Sequence, residues 1–220
     1  MNVDWSTFWF RIVEATGETV LMVLLTLLFS SIIGITIGIL FFVTREGNIM
    51  ENKFVFSILN LLVNIIRPVP FIILLVAVSP LTRLLVGTTI GTMAAVFPMT
   101  IAASFAIARV VENNLVSIEP GVIEAAQAMG ASSIRIIFTV LIPEALGPLI
   151  LGLTFIAVAL IDFSAMAGTV GGGGLGDVAM SYGYQRFETS VMIVTIVILI
   201  LLAQVAQLLG NFLSRFFLRR

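Results

Sequence analysis

The chain has 220 residues, of which 60% are hydrophobic and only 10% are Asp, Glu, Lys or Arg, with a formal net charge of -1. A soluble domain carries about a quarter charged residues because its surface faces water, so the composition argues against a water-soluble globule, and so small a net charge offers no basic surface for nucleic acid. Cysteine and histidine are absent, which removes disulfides, Cys/His metal sites, thiol nucleophiles and the commonest general base, leaving no catalytic or metal-binding set to nominate.

The charges are segregated. Thr19 to Thr44, Leu84 to Ala108 and Thr189 to Ser214 hold no ionisable side chain, and each exceeds the ~20 apolar residues that span a hydrocarbon core. In lipid such segments must be helical, because hydrocarbon cannot satisfy a free backbone amide. The expected fold is therefore all-α, a polytopic membrane protein with about five transmembrane helices in a single transmembrane domain over residues 1–220. In chain order the spans are expected near 19–43, 54–78, 88–108, 140–165 and 189–209, with a loop at 109–139. The first run is too long for the apolar region of a signal peptide, and Asp4, Glu14 and Glu18 outnumber Arg11 ahead of it.

Five spans put the termini on opposite sides, and the positive-inside rule selects the orientation. A cytoplasmic C-terminus gathers Arg45, Lys53, Arg109, Arg135, Arg215, Arg219 and Arg220 inside, leaving Arg11, Arg83 and Arg186 outside. The N-terminus is expected outside. Trp5, Trp9, Tyr182 and Tyr184 then suit an outer aromatic belt, and the terminal Arg cluster lies against anionic membrane lipid.

Arg67 interrupts the second span about halfway along and is followed by Pro68 and Pro70. An Arg at a helix centre costs ~2.5–3.5 kcal/mol, against ~0.3–0.6 gained per central Leu, Ile, Phe or Val, so the span still inserts. Two readings stand. Arg67 clamps carbonyls freed by the prolines, or it faces a wet path through the bundle and meets a carboxylate there.

The inner loop contains Glu119-Pro-Gly-Val-Ile-Glu-Ala-Ala-Gln-Ala-Met-Gly130. Pro120 fits the first turn of a helix, where its missing N–H costs nothing, and Gly130 fits a left-handed stop. Between them a helix of about three turns places Val122, Ala125, Ala126 and Met129 toward one face. Ser132 or Ser133 caps the next helix, and Pro143 is expected to kink it. A short cytoplasmic helix fixed at both ends serves as a lever for a partner, with Glu124 as an anionic contact, or else lies on the bilayer.

Glu124-Ala125-Ala126, Gly130 and Pro143 resemble the EAA motif of ABC importer permeases. The family's pattern is Glu-Ala-Ala, three residues, Gly, nine residues, Ile, any residue, Leu-Pro. Val140 and Ile142 replace its Ile and Leu and keep the positions apolar. In that family the helix docks on the ATPase subunit and transmits nucleotide-driven motion. Arg67-Pro-Val-Pro-Phe-Ile-Ile-Leu-Leu75, Ala108-Arg-Val-Val-Glu-Asn113 and Ser164-Ala-Met-Ala-Gly-Thr-Val-Gly-Gly-Gly-Gly-Leu-Gly176 are similar to permeases of the methionine-uptake family, and the likeness covers nearly the whole chain. It implies a permease homodimer in the bacterial cytoplasmic membrane, two ATPase subunits that bind ATP and Mg, an extracytoplasmic substrate-binding protein, and methionine or its derivatives as substrate. It also implies a gate near the end of the fourth span, where Asp162 and Met166 lie. Met166 is the candidate gate residue, or it fills a gap in a dimer core.

Gly171 to Gly176 invites comparison with a phosphate loop, but the Lys-Ser or Lys-Thr ending is missing and the only lysine is Lys53. No cofactor is expected in this chain, and no hydrolysis of nucleotide. Gly171, Gly174 and Gly176 are expected in a tight, flexible outer loop at the mouth of the pathway, or in a plain interhelix turn. A secondary transporter is the alternative from another class, although such proteins often carry internal repeats and none is visible. A membrane-embedded enzyme would need a carboxylate pair, and Asp162 is the one acid deep in a span.

Overall fold

The computed structural model describes residues 5–218, and among them every regular element is helical. Helix α1 (Trp5–Val43) is followed by α2 (Lys53–Ile66), α3 (Phe71–Ala77), α4 (Ser79–Val86) and α5 (Thr92–Val116). The short α6 (Pro120–Ala128) and α7 (Ser133–Ile136) lead through a π-helical turn, Ile137–Leu141, into α8 (Ile142–Gly168). Helix α9 (Gly174–Val178) and a second π-helical turn, Ala179–Tyr184, precede α10 (Thr189–Leu218). The terminal Arg219 and Arg220 lie outside the described residues.

Four stretches are long and apolar enough to cross a membrane: Phe8–Val43, Thr92–Val116, Ser133–Gly168 and Thr189–Phe216. The pair Lys53–Ile66 and Phe71–Ala77 passes the same test together but bends by 108°. The protein is all-α and polytopic, with four candidate spans, or five where the bent pair counts as one.

Several boundaries differ from the sequence reading, each for a physical reason. Helix α1 begins 14 residues before Thr19 and at 1.5 Å per residue is about 58 Å long. It therefore outreaches a ~30 Å hydrocarbon core, and Glu14 and Glu18 lie on the turns ahead of the apolar run that starts at Thr19. The second span is not one helix: Pro70 takes ψ 133°, outside the helical region, and α3 restarts after it. Helix α5 continues eight residues past Ala108. Its polar extension is stabilised by Arg109, which donates to Glu112 at 3.0 Å and lies over the ring of Phe41 at 5.8 Å. Pro143 is absorbed by the preceding π-helical turn, in which the Ile142 N–H reaches back five residues to the Ile137 carbonyl. A wider turn leaves room for a ring that would otherwise strike the carbonyl four residues back.

The core is built on α1 against α5. Thr19, Met22, Thr26, Ser30, Gly34 and Gly38 form one buried stripe of α1. A Cβ on Gly34 would stand 2.7 Å from the Ser104 carbonyl oxygen, and one on Gly38 2.7 Å from that of Ala108. Small residues thus let the backbones approach, which is how helices gain packing in lipid, where apolar burial alone gives no drive. Gly38→Ala is expected to destabilise the protein by about 1–3 kcal/mol through overpacking, read as a lower melting temperature in detergent. Gly17→Ala, on the same helix with nothing within 4 Å of the added Cβ, should be neutral or stabilising by up to ~1 kcal/mol.

Helices α8 and α10 cross where Gly210 admits Thr154, and Ser214 Oγ donates to the Gly147 carbonyl at 3.4 Å. Helix α3 joins α8 through stacked rings, Phe71 on Phe163, with centroids 4.5 Å apart.

Candidate functional site

Three features stand out: a short helix at one end, a glycine-rich segment at the other, and the exposed face of α8 between them. Pro120 occupies the first turn of α6, as expected. Gly130 has φ +78° and ends the helix. The Gly130 N–H donates to the Gln127 carbonyl at 2.9 Å and the Ala131 N–H to that of Ala126 at 3.1 Å. This pair is the Schellman closure, which satisfies carbonyls that the helix end leaves free. Ser132 Oγ caps α7 by accepting from the Arg135 N–H at 3.4 Å. The next hydroxyl, Ser133 Oγ, donates to the Ile49 carbonyl at 3.1 Å, so the α1–α2 turn and the exit of α6 are tied together.

The four residues expected on one face of α6 divide. Ala126 is buried in the core with Leu115, Ile118 and Ile136, whereas Val122, Ala125 and Met129 are exposed, Met129 to 81%. The inward turn of Ala126 anchors the helix, and the apolar strip it leaves outside spans positions i, i+3 and i+7, one side of a helix. Glu124 is exposed and lines a cavity of about 210 Å³ with Arg45, Asn48 and Gln127.

The glycine-rich segment, expected as a tight, flexible outer loop or a plain interhelix turn, is packed into the fold. Gly172, Gly174, Leu175 and Gly176 are buried. Gly171, Gly173 and Gly174 have φ +89°, +79° and +74°, the left-handed region that an L side chain resists. A Cβ on Gly172 would lie 2.7 Å from the Ala167 carbonyl oxygen, and one on Gly176 would strike the Ala165 backbone. The glycines serve close approach, not slack. Sequence reasoning missed Glu18 and Thr19, which reach this segment from α1: the Gly174 N–H donates to Glu18 Oε2 at 2.6 Å and the Leu175 N–H to Thr19 Oγ1 at 2.9 Å. Nothing local marks either residue, because the partners are 156 positions away.

At this same end Tyr182 is not a free belt residue. It packs edge-on to Phe8 at 4.9 Å, with Arg11 and Arg186 over its ring at 5.6 and 4.3 Å. Tyr184, Trp5 and Trp9 are exposed.

On α8, Leu151, Phe155, Asp162 and Met166 are exposed and share one side. Arg67, at the α2–α3 break, is also exposed, and among the described residues its guanidinium donates no hydrogen bond to the carbonyls the prolines free. The clamp, one of the two readings of Arg67, has no such bond behind it among the described residues. The Phe71–Phe163 stack places the break's second arm one residue from Asp162 along the chain.

Taken together, helices long and apolar enough to cross a bilayer, a bent helix pair and a short anchored helix are the framework of a polytopic membrane protein. The chain matches the family described as binding-protein-dependent transport system inner membrane component over residues 30–219, and it belongs to that family. It is 45% identical to the probable D-methionine transport system permease protein MetI of Vibrio cholerae over 204 residues, covering 93% of this chain and 91% of that protein. It is 41% identical to the methionine import system permease protein MetP of Bacillus subtilis over 213 residues, 97% of this chain and 94% of the relative. A solved structure described as inward-facing conformations of the MetNI methionine ABC transporter matches with TM-score 0.94 and 41% identity, covering 96% of this chain and 98% of the other. An amino acid ABC transporter solved with histidines shares the fold, with TM-score 0.77 at 19% identity.

Proposed function

We propose that this permease forms the translocation pathway of an ATP-driven methionine importer, as a homodimer served by two ATPase subunits and an extracytoplasmic binding protein. The relatives' names supply the substrate, and the observation that carries the coupling is α6, pinned by Ala126 and displaying Val122, Ala125 and Met129. In this reading Glu124, Ala125, Ala126 and Gly130 form the coupling element that meets the ATPase, and Pro143 sits in the helix that carries its motion inward. ATP and Mg belong to the partner, and this chain hydrolyses nothing.

The orientation is N-terminus outside and C-terminus cytoplasmic, which puts α6 beside the ATPase and the glycine-rich segment at the outer mouth. Asp162 supports placing the exposed side of α8 on the pathway between two copies, because a charge at span depth is costly against lipid and normally faces a bundle interior or a wet cavity. Met166, one turn further on, is then the outer gate, and Arg67 faces the same path.

Met129→Asp tests the coupling. It places a charge in the apolar strip while leaving the buried anchor untouched. The variant is expected to reach the membrane at wild-type level and to lose about 90% or more of its co-purifying ATPase, the loss of a well-packed apolar contact. Wild-type recovery of the ATPase would contradict α6 as its docking element.

A further inference from the structure

The glycine-rich segment is held from two sides. On one side, α8 leans on it: a Cβ on Gly168 would lie 2.7 Å from the Gly176 carbonyl carbon, and one on Gly172 2.9 Å from that of Ala167. On the other, α1 inserts two adjacent acceptors, Glu18 Oε2 to Gly174 and Thr19 Oγ1 to Leu175. A third tie is the Gly91 N–H, which donates to the Gly171 carbonyl at 2.8 Å at the start of α5. The fit is tight. A Cβ on Gly173 would stand 2.9 Å from Glu18 Oε2, and one on Gly174 2.6 Å from Thr19 Oγ1 and 2.8 Å from Met22 Cε.

Both donors are the opening N–H groups of α9, which no preceding carbonyl of that helix can receive. A carboxylate acceptor makes the first bond charge-assisted, shorter and stronger than a neutral one. Thr19 is 1% exposed and Leu175 fully buried, so water does not compete for the second bond. Two acceptors in consecutive positions constrain both the height and the rotation of α9 against α1, which a single bond would not.

We infer that Glu18 and Thr19 are positioning residues of transport: they lock α1 to α9 so that α1 and the Met166 end of α8 move as one body when the pathway opens. The inference rests on the reading of Met166 as the outer gate. Without the lock, α8 can shift at that end while α1 stays behind, and nucleotide-driven motion from α6 no longer reaches the gate in register. Neither residue needs to touch the substrate.

The test uses the whole complex in proteoliposomes, with methionine-loaded binding protein. Assembly, ATP hydrolysis, methionine uptake and copy-to-copy cross-linking of Met166→Cys are measured with and without nucleotide. Glu18→Ala is expected to assemble and hydrolyse ATP, with uptake per ATP down about tenfold and the nucleotide-dependent change in cross-linking lost. Glu18→Gln keeps an acceptor oxygen and is expected to recover most of the coupling. Thr19→Val is nearly isosteric and removes only the acceptor, so it carries the same test should Glu18→Ala fail to assemble. Normal uptake per ATP in Glu18→Ala or Thr19→Val overturns the lock, as does Glu18→Gln matching Glu18→Ala. Met166→Cys in the otherwise unchanged chain separates the two ideas. If its cross-linking ignores nucleotide, the gate reading fails whatever Glu18 does. If it responds there and equally in Glu18→Ala, the gate stands and the lock falls.

Discussion

Gly130→Pro is expected to insert into the membrane and dimerise, yet to lose ATP-driven uptake about a hundredfold, the equivalent of the ~3 kcal/mol that a misplaced proline costs. Two independent features produce that number. Gly130 sits at φ +78°, and proline is locked near −65°, so the left-handed stop of α6 cannot form. The Gly130 N–H also donates to the Gln127 carbonyl at 2.9 Å, and proline has no N–H to donate. The companion bond from Ala131 to Ala126 depends on the same turn and would go with it. Ala126 is the buried anchor of α6, so the helix loses its fixed direction relative to α7 and α8. The expected signature is ATP hydrolysis that no longer drives uptake, measured in proteoliposomes beside wild-type complex. Gly121→Ala, in the same helix with nothing within 4 Å of the added Cβ, is the matched control and should transport normally.

Gly176→Ala should be the most damaging single methyl group in the molecule. Its Cβ would collide with the Ala165 carbonyl oxygen and lie 2.6 Å from the Ala165 Cα and 2.8 Å from its carbonyl carbon. All three are backbone atoms of α8, which cannot rotate aside as a side chain can. Overpacking in a well-filled core costs about 1–3 kcal/mol and occasionally more, and this site belongs at or beyond the upper end. The detergent-solubilised variant is expected to melt well below wild type and to give little assembled complex. A wild-type melting temperature would contradict this close packing of the segment against α8.

What the sequence revealed and what it concealed divide by the range of the interaction. Pro120 and Gly130 act on their own backbone, so α6 and its left-handed stop were readable from residue type and spacing. The apolar runs declare themselves through desolvation, which is a local property. The bend after Arg67 was signalled by Pro68 and Pro70, but its 108° size depends on where α3 finds a partner, the Phe71–Phe163 stack. The extension of α5 was hidden because Arg109, Glu112, Asn113 and Asn114 look like loop residues until Glu112 is seen buried beside Arg109 and Arg109 over Phe41. Ala126 looked like part of the docking face because periodicity gives a side and not its direction. The glycine cluster was visible as composition only. Its meaning, close approach to α8 and to the Glu18–Thr19 pair, lies in contacts between distant parts of the chain.

The central claim is that this chain carries methionine inward using a partner's ATP hydrolysis, and substrate uptake under defined energy sources tests it most directly. The permease would be reconstituted with its ATPase and loaded binding protein, and labelled methionine counted inside the vesicles. Uptake is predicted to require ATP and the ATPase subunit together, and to persist when proton and sodium gradients are collapsed. Uptake by the permease alone, driven by an ion gradient and indifferent to ATP, would contradict the account and mark the chain as a secondary transporter.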